Sequence, residues 1–105
     1  MNIEDLSWHD GILNGYSFNP NYDELSKITL DLELYPEQVH SKERKKLKVI
    51  CENISSVKSN IDINVLKKNK NFGNINHGEL TGSVLRIELF GGELVIEAKK
   101  FNVEC

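Results

Sequence analysis

Val84-Leu85-Arg86-Ile87-Glu88-Leu89-Phe90-Gly91-Gly92-Glu93-Leu94-Val95-Ile96-Glu97-Ala98-Lys99 decides the fold class of this chain. Leu85, Ile87 and Leu89 alternate with Arg86, Glu88 and Phe90, the period of a strand with one buried face. Gly91-Gly92 interrupts the alternation, and Leu94, Ile96 and Ala98 resume it. Two glycines between two such runs suit a type I′ hairpin turn, whose central residues both need positive φ. That turn pairs Phe90 with Glu93, Leu89 with Leu94, Ile87 with Ile96 and Leu85 with Ala98. All six apolar side chains then share one face, and Arg86 lies opposite Glu97 on the other. A one-residue slip would turn the apolar set to water, so the face is strongly specified.

Working outward, Lys27–Tyr35 alternates in the same way: Ile28, Leu30, Leu32 and Leu34 inward, Thr29, Asp31 and Glu33 outward. Ile12–Asn19 is expected as a strand with Ile12, Tyr16 and Phe18 on one parity. The turn residues Asn19-Pro20-Asn21-Tyr22-Asp23 join these two into a hairpin. Met1–Asp10 reads as an N-terminal turn with a short helix at Ile3–Ser7, and Trp8 as a core anchor. Pro36–Ser41 is a loop, and the basic run from Lys42 leads into a third strand at Leu47–Glu52. In Ile54–Lys70 two patterns compete. Ile54, Val57, Ile61 and Val65 fit a helical stripe, while Ile61, Ile63 and Val65 fit a strand. We read a short helix or turn followed by irregular chain. Asn69–Gly82 is expected as a glycine-punctuated loop with one short strand at Asn74–Leu80. Phe101 and Val103 carry the opposite parity to Ala98, which places a bulge at Lys99-Lys100.

The sum is five or six antiparallel strands with at most one short helix. The expected fold is mainly β, or α+β with one short helix, built as a curled antiparallel sheet or partly open barrel. At 105 residues the chain is expected to form a single domain, residues 1–105. Charged residues make up 28% and the net charge is −3, which offers no general attraction to nucleic acid or anionic membrane. No apolar run approaches the ~20 residues of a membrane-spanning helix. The N-terminus lacks the pattern of a signal peptide. Two cysteines, Cys51 and Cys105, are too few for a disulfide framework and read as free thiols of a cytoplasmic protein. The abundance of Asn, Lys and Ile suits an AT-rich bacterial genome.

Candidate sites are sparse. His9-Asp10 could bind metal, but the metal-binding version of this dipeptide sits on a helix among further ligands. Here Gly11 follows and a strand begins, and neighbours on a strand point to opposite faces. The structural reading has Asp10 accepting backbone N–H groups in a turn, with His9 bonded locally. His9, His40 and His77 are scattered without ligand spacing, so no metal and no cofactor is expected. Cys51 lies on the apolar parity of its strand, so a Cys–His nucleophile is not expected. Gly73-Asn74-Ile75-Asn76-His77-Gly78 lacks the ending of a phosphate loop, and its glycines read as positive-φ turn positions. Two surfaces remain for a protein partner. One is the outward face at Phe90 and Val95. The other is the basic segment Arg44, Lys45, Lys46 and Lys48, whose bland reading is a solvated strand entry that discourages edge pairing.

Two stretches carry a family resemblance. Leu6-Ser7-Trp8-His9-Asp10-Gly11-Ile12 followed by a strand resembles the opening of several small bacterial families of unknown function. Leu85–Phe101, with Gly91-Gly92 at its centre, resembles their closing hairpin. One such group is the immunity protein 50 family of bacterial polymorphic toxin systems. The two ends cover about a third of the chain. The resemblance implies a cytoplasmic β protein without catalysis that binds and neutralises a toxin, and it carries no catalytic residue over. The main alternative is a housekeeping interaction module or homo-oligomer subunit. The other is a small enzyme or ligand-binding barrel using His9, Asp10 and His77.

Overall fold

The computed structural model describes residues 2–19, 26–35, 43–62, 64 and 73–105. The expected loops at Pro20–Asp23 and Pro36–Ser41, and residues 63 and 65–72, lie outside the described residues. A 3-10 turn at Ile3–Asp5 is followed by six strands: β1 (Ser7–Asn19), β2 (Lys27–Tyr35), β3 (Lys45–Ser59), β4 (Ile75–Thr81), β5 (Val84–Leu89) and β6 (Gly92–Glu104). They form one antiparallel sheet in the order β1-β2-β3-β6-β5-β4.

The sheet curls into a half-barrel around one apolar core. β2 contributes Ile28, Leu30, Leu32 and Leu34, β3 contributes Leu47, Val49 and Cys51, and β5 and β6 contribute Leu85, Ile87, Leu89, Leu94, Ile96 and Ala98. The inward sets expected from alternation in β2, β5 and β6 are therefore the buried sets. The curl brings the first and last strands of the order together at one place. Ile12 and Asn74 form an isolated bridge, and the Leu13 N–H donates to the Gly73 carbonyl at 2.7 Å. Trp8, 7% exposed, closes this seam by packing on β4 at Gly78, where an added Cβ would lie 2.5 Å from the indole. Gly78 is thus a close-approach residue rather than a positive-φ turn; Gly73 and Gly82 take the positive φ values, +74° and +60°.

Four sequence expectations are corrected. First, the closing hairpin pairs Leu89 with Gly92, Glu88 with Glu93, Ile87 with Leu94 and Leu85 with Ile96. The inward face survives because the shift is two residues, but Phe90 and Gly91 now form the turn. Phe90 has no positive φ, so the turn is not type I′; the positive φ falls on Gly92 at +148°. The cause is tertiary. Asn60 packs against Gly92, and its N–H donates to the Glu93 carbonyl at 3.2 Å, while the Asn60 side chain accepts the Glu93 N–H at 2.9 Å. Arg86 then lies opposite Val95 and pairs with Glu93 at 3.8 Å instead of with Glu97.

Second, β3 runs on to Ser59, so Ile54–Ser59 is strand and not helix. Asn53 takes φ +57°, and the register shifts between Ile54 and Ser56. Each irregularity offsets the two-residue alternation by one. Cys51, Ile54 and Val57 therefore share the inner side of the sheet at intervals of three, buried, half-buried and exposed in turn, which imitates a helical stripe. Third, no register shift falls at Lys99-Lys100, where a bulge is expected; the change of face is there, since both lysines are exposed while Phe101 and Val103 pack on the core, and it is matched on β3 by the left-handed Asn53. Fourth, β1 begins at Ser7 and is itself irregular, with shifts between Ser7 and Ile12 and between Leu13 and Gly15. Leu13, not Ile12, joins the core. Tyr16 and Phe18 sit across from the buried Leu30 and Ile28 and so lie on the inner face, yet remain 41% and 54% exposed.

Candidate functional site

His9 and Asp10 lie in the first irregularity of β1. Asp10 takes φ +63°, a left-handed conformation that Asp tolerates better than most residues. This turns its side chain to the side of His9, with Nε2 and Oδ2 3.5 Å apart. The expectation that the two diverge, as on a regular strand, is thus corrected. His9 Nδ1 makes a 2.9 Å hydrogen bond with the Asn76 carbonyl, fastening β1 to β4. The Asp10 carbonyl accepts from Arg44 Nε at 2.8 Å, and the Arg44 guanidinium lies 4.9 Å over the Tyr35 ring. The corner is a structural junction in which Asp10 contributes its backbone conformation and its carbonyl.

His77 lies on the outer face of β4 and pairs with Glu79 at 3.4 Å. His40 lies outside the described residues. Among the described residues no three His, Cys, Asp or Glu side chains are grouped to hold a metal ion. Cys51 is fully buried, and burial pushes its thiol up to about 12, so at neutral pH it is a protonated packing residue and not a nucleophile. Cys105 is exposed.

The basic segment is less available than its sequence suggests. Lys46 stands across from Glu33, and Lys48 across from Asp31, to which it approaches 3.8 Å. Glu104 flanks Lys48 on the other side. Arg44 is engaged by Asp10 and Tyr35. Long-range pairing between strands had hidden this compensation, because the acidic partners come from β2 and β6. A shallow cleft of about 540 Å³ runs beside these residues, with Asn14, Leu32, Leu47 and Cys105 in its walls. Its charges are mixed.

Phe90 is the most exposed large apolar residue described, at 59%. Its turn is held from two sides. The Phe90 N–H donates to the Asn74 carbonyl at 3.4 Å, and the Asp62 N–H donates to the Gly91 carbonyl at 2.6 Å. Val95 is half-buried on the outer face between Lys58 and Arg86. The exposed aromatics Tyr16 and Phe18 were not legible as surface, because their parity is that of the core; only the order of strands shows that β1 is an edge. Among the described residues no helix is long and apolar enough to cross a membrane. Compared with known proteins, the chain matches no family model, no curated protein and no solved structure.

Proposed function

We propose that this chain is a cytoplasmic, non-enzymatic binding protein that works by protein–protein contact, in the manner of an immunity protein neutralising a toxin. The observation that carries the reading is Phe90, a 59% exposed aromatic whose N–H donates to the Asn74 carbonyl, in a turn whose Gly91 carbonyl accepts from Asp62 and beside which Asn60 bonds to Glu93. The Phe90 ring is not among the buried residues of the core. A rigidly presented aromatic loses little conformational entropy on binding, and aromatic anchors are where interface energy concentrates. The histidine and cysteine chemistry points the same way: His9 serves the β1–β4 seam and Cys51 serves the core. The resemblance of both ends of the chain to the immunity protein 50 family supports a toxin as the partner. The basic residues Lys45, Lys46 and Lys48 are a secondary contact, since two of them already face carboxylates.

The test is affinity capture from the native host with wild-type and Phe90→Ala protein side by side, read by mass spectrometry. A partner that is enriched by the wild type and lost with Phe90→Ala supports the reading. Equal capture by both, or hydrolytic activity in the purified protein that disappears in His9→Ala, refutes it.

A further inference from the structure

We propose that Asn14 is a site of spontaneous covalent modification, at which the Gly15 nitrogen closes on the Asn14 side chain and the amide becomes a carboxylate. Ring closure needs an amide open to water, a following residue that does not crowd the attacking nitrogen, and a backbone that can turn. Asn14 is the only one of twelve asparagines that glycine follows, and six of the others precede Ile or Val, whose branched side chains are stiff and bulky. Asn14 is exposed. It is also the extra residue of the second irregularity in β1. Leu13 stands across from Leu32 and Gly15 across from Asp31, so the ladder to β2 skips Asn14. A residue skipped in this way is unpaired on that side, where its neighbours are held.

The step needs only water. The Gly15 nitrogen attacks Asn14 Cγ, the bond from Cγ to Nδ2 breaks, and ammonia leaves carrying the proton that Gly15 gives up. Water then opens the five-membered imide at one of its two carbonyls. One opening leaves aspartate. The other leaves isoaspartate, in which the main chain runs through the former side-chain carbons and is one atom longer at the bulge. The consequence falls on Glu33. Asn14 Nδ2 donates to Glu33 Oε2 at 3.0 Å, an exposed bond that water can replace. The product has no N–H to give, so a second carboxylate faces Glu33, and the two repel. Lys46, across from Glu33, offsets part of this. Asn14 also lines the cleft beside Asp31, Lys46, Lys48 and Glu104, so the change adds one negative charge to that wall.

The inference is independent of the toxin reading and of Phe90. The test is to hold the folded full chain in mildly alkaline buffer at body temperature and follow it by peptide mass mapping, with an isoaspartyl methyltransferase assay on the same samples. The peptide holding Asn14 is expected to show the one-dalton gain from amide to acid before any other, part of it as isoaspartate. Gly15→Ala keeps the fold and is expected to slow the gain by about tenfold or more, the rate lost for each ~1.4 kcal/mol added to the barrier. Asn14→Asp isolates the added charge. It is expected to lower the melting temperature at neutral pH, and adding Glu33→Gln, whose amide can donate to Asp, is expected to restore most of the loss. Three results overturn the inference: an Asn14 peptide that stays unmodified in the folded chain while it is modified in urea, another asparagine that reacts first, or a Gly15→Ala chain that reacts as fast as the wild type. An Asn14→Asp protein as stable as the wild type overturns the consequence assigned to Glu33.

Discussion

Replacing Gly92 by Ala tests why the closing hairpin adopts its observed register. Gly92 has φ +148°, and an added Cβ would lie 2.1 Å from the Asn60 carbonyl oxygen and 2.8 Å from the Ile61 Cα. Both neighbours are backbone, so no side-chain rotation relieves the clash and the Asn60 segment has to lift. Three hydrogen bonds depend on that segment: Asn60 to the Glu93 carbonyl, Glu93 to the Asn60 side chain, and Asp62 to the Gly91 carbonyl. At about 0.5–1.5 kcal/mol net for each, with about 1 kcal/mol for the backbone, the total is roughly 2.5–5.5 kcal/mol. Two other glycines separate the contributions. Gly82 has φ +60° with open space around its Cβ direction, so Gly82→Ala carries only the backbone strain, about 1 kcal/mol. Gly15 has open space and no positive φ, so Gly15→Ala is neutral, or stabilising by about 0.4–1 kcal/mol. Urea unfolding followed by circular dichroism, with equal slopes, is expected to order the losses Gly92, then Gly82, then Gly15. A Gly92→Ala loss no greater than that of Gly82→Ala would refute the account of the turn.

The other predictions follow from single residues. The folded Cys51 thiol holds its proton to about 12 while the unfolded thiol releases it near 9.0, so the unfolded state binds fewer protons above 9.0. Stability from this group is fully present below pH 9.0 and falls as pH rises from there to about 12. Cys51→Ala should flatten that part of the pH profile, and an unchanged slope would show that the thiol is not protected. Asp10 holds a left-handed φ of +63°, so Asp10→Ala is expected to lose about 1 kcal/mol and Asp10→Gly to be neutral or better. Equal losses in both variants would mean that the carboxylate, and not the backbone conformation, carries the role of Asp10.

What the sequence revealed depended on whether the physics was local. β2, β5 and the first half of β6, up to Ala98, keep a two-residue period between residues of plain strand character, so their inward faces could be read directly. The hairpin turn could not, because the Gly-Gly pair is set by Asn60 arriving from β3 and not by the turn's own preference. β3 was half missed for a related reason: the left-handed Asn53 and the register shift after Ile54 convert a strand period into an apparent helical one. At the candidate sites, the carboxylates opposite Lys46 and Lys48 come from β2, and the Arg44 contacts come from β1 and β2. Such compensation exists only once strand order and register are known. The exposure of Phe90 could be anticipated from its outward parity, although Phe90 lies in the turn itself and not on the strand beside it.

The most direct test of the central claim is a paired measurement on Phe90→Ala: melting temperature, and dissociation rate from the captured partner by surface plasmon resonance. Phe90 is a contact residue that the fold does not need, so the melting temperature is expected to stay the same while dissociation quickens by about ten- to thirtyfold, the signature of a lost aromatic anchor of about 1.4–2 kcal/mol. A lowered melting temperature with unchanged dissociation would show that Phe90 serves the fold and that the binding surface lies elsewhere.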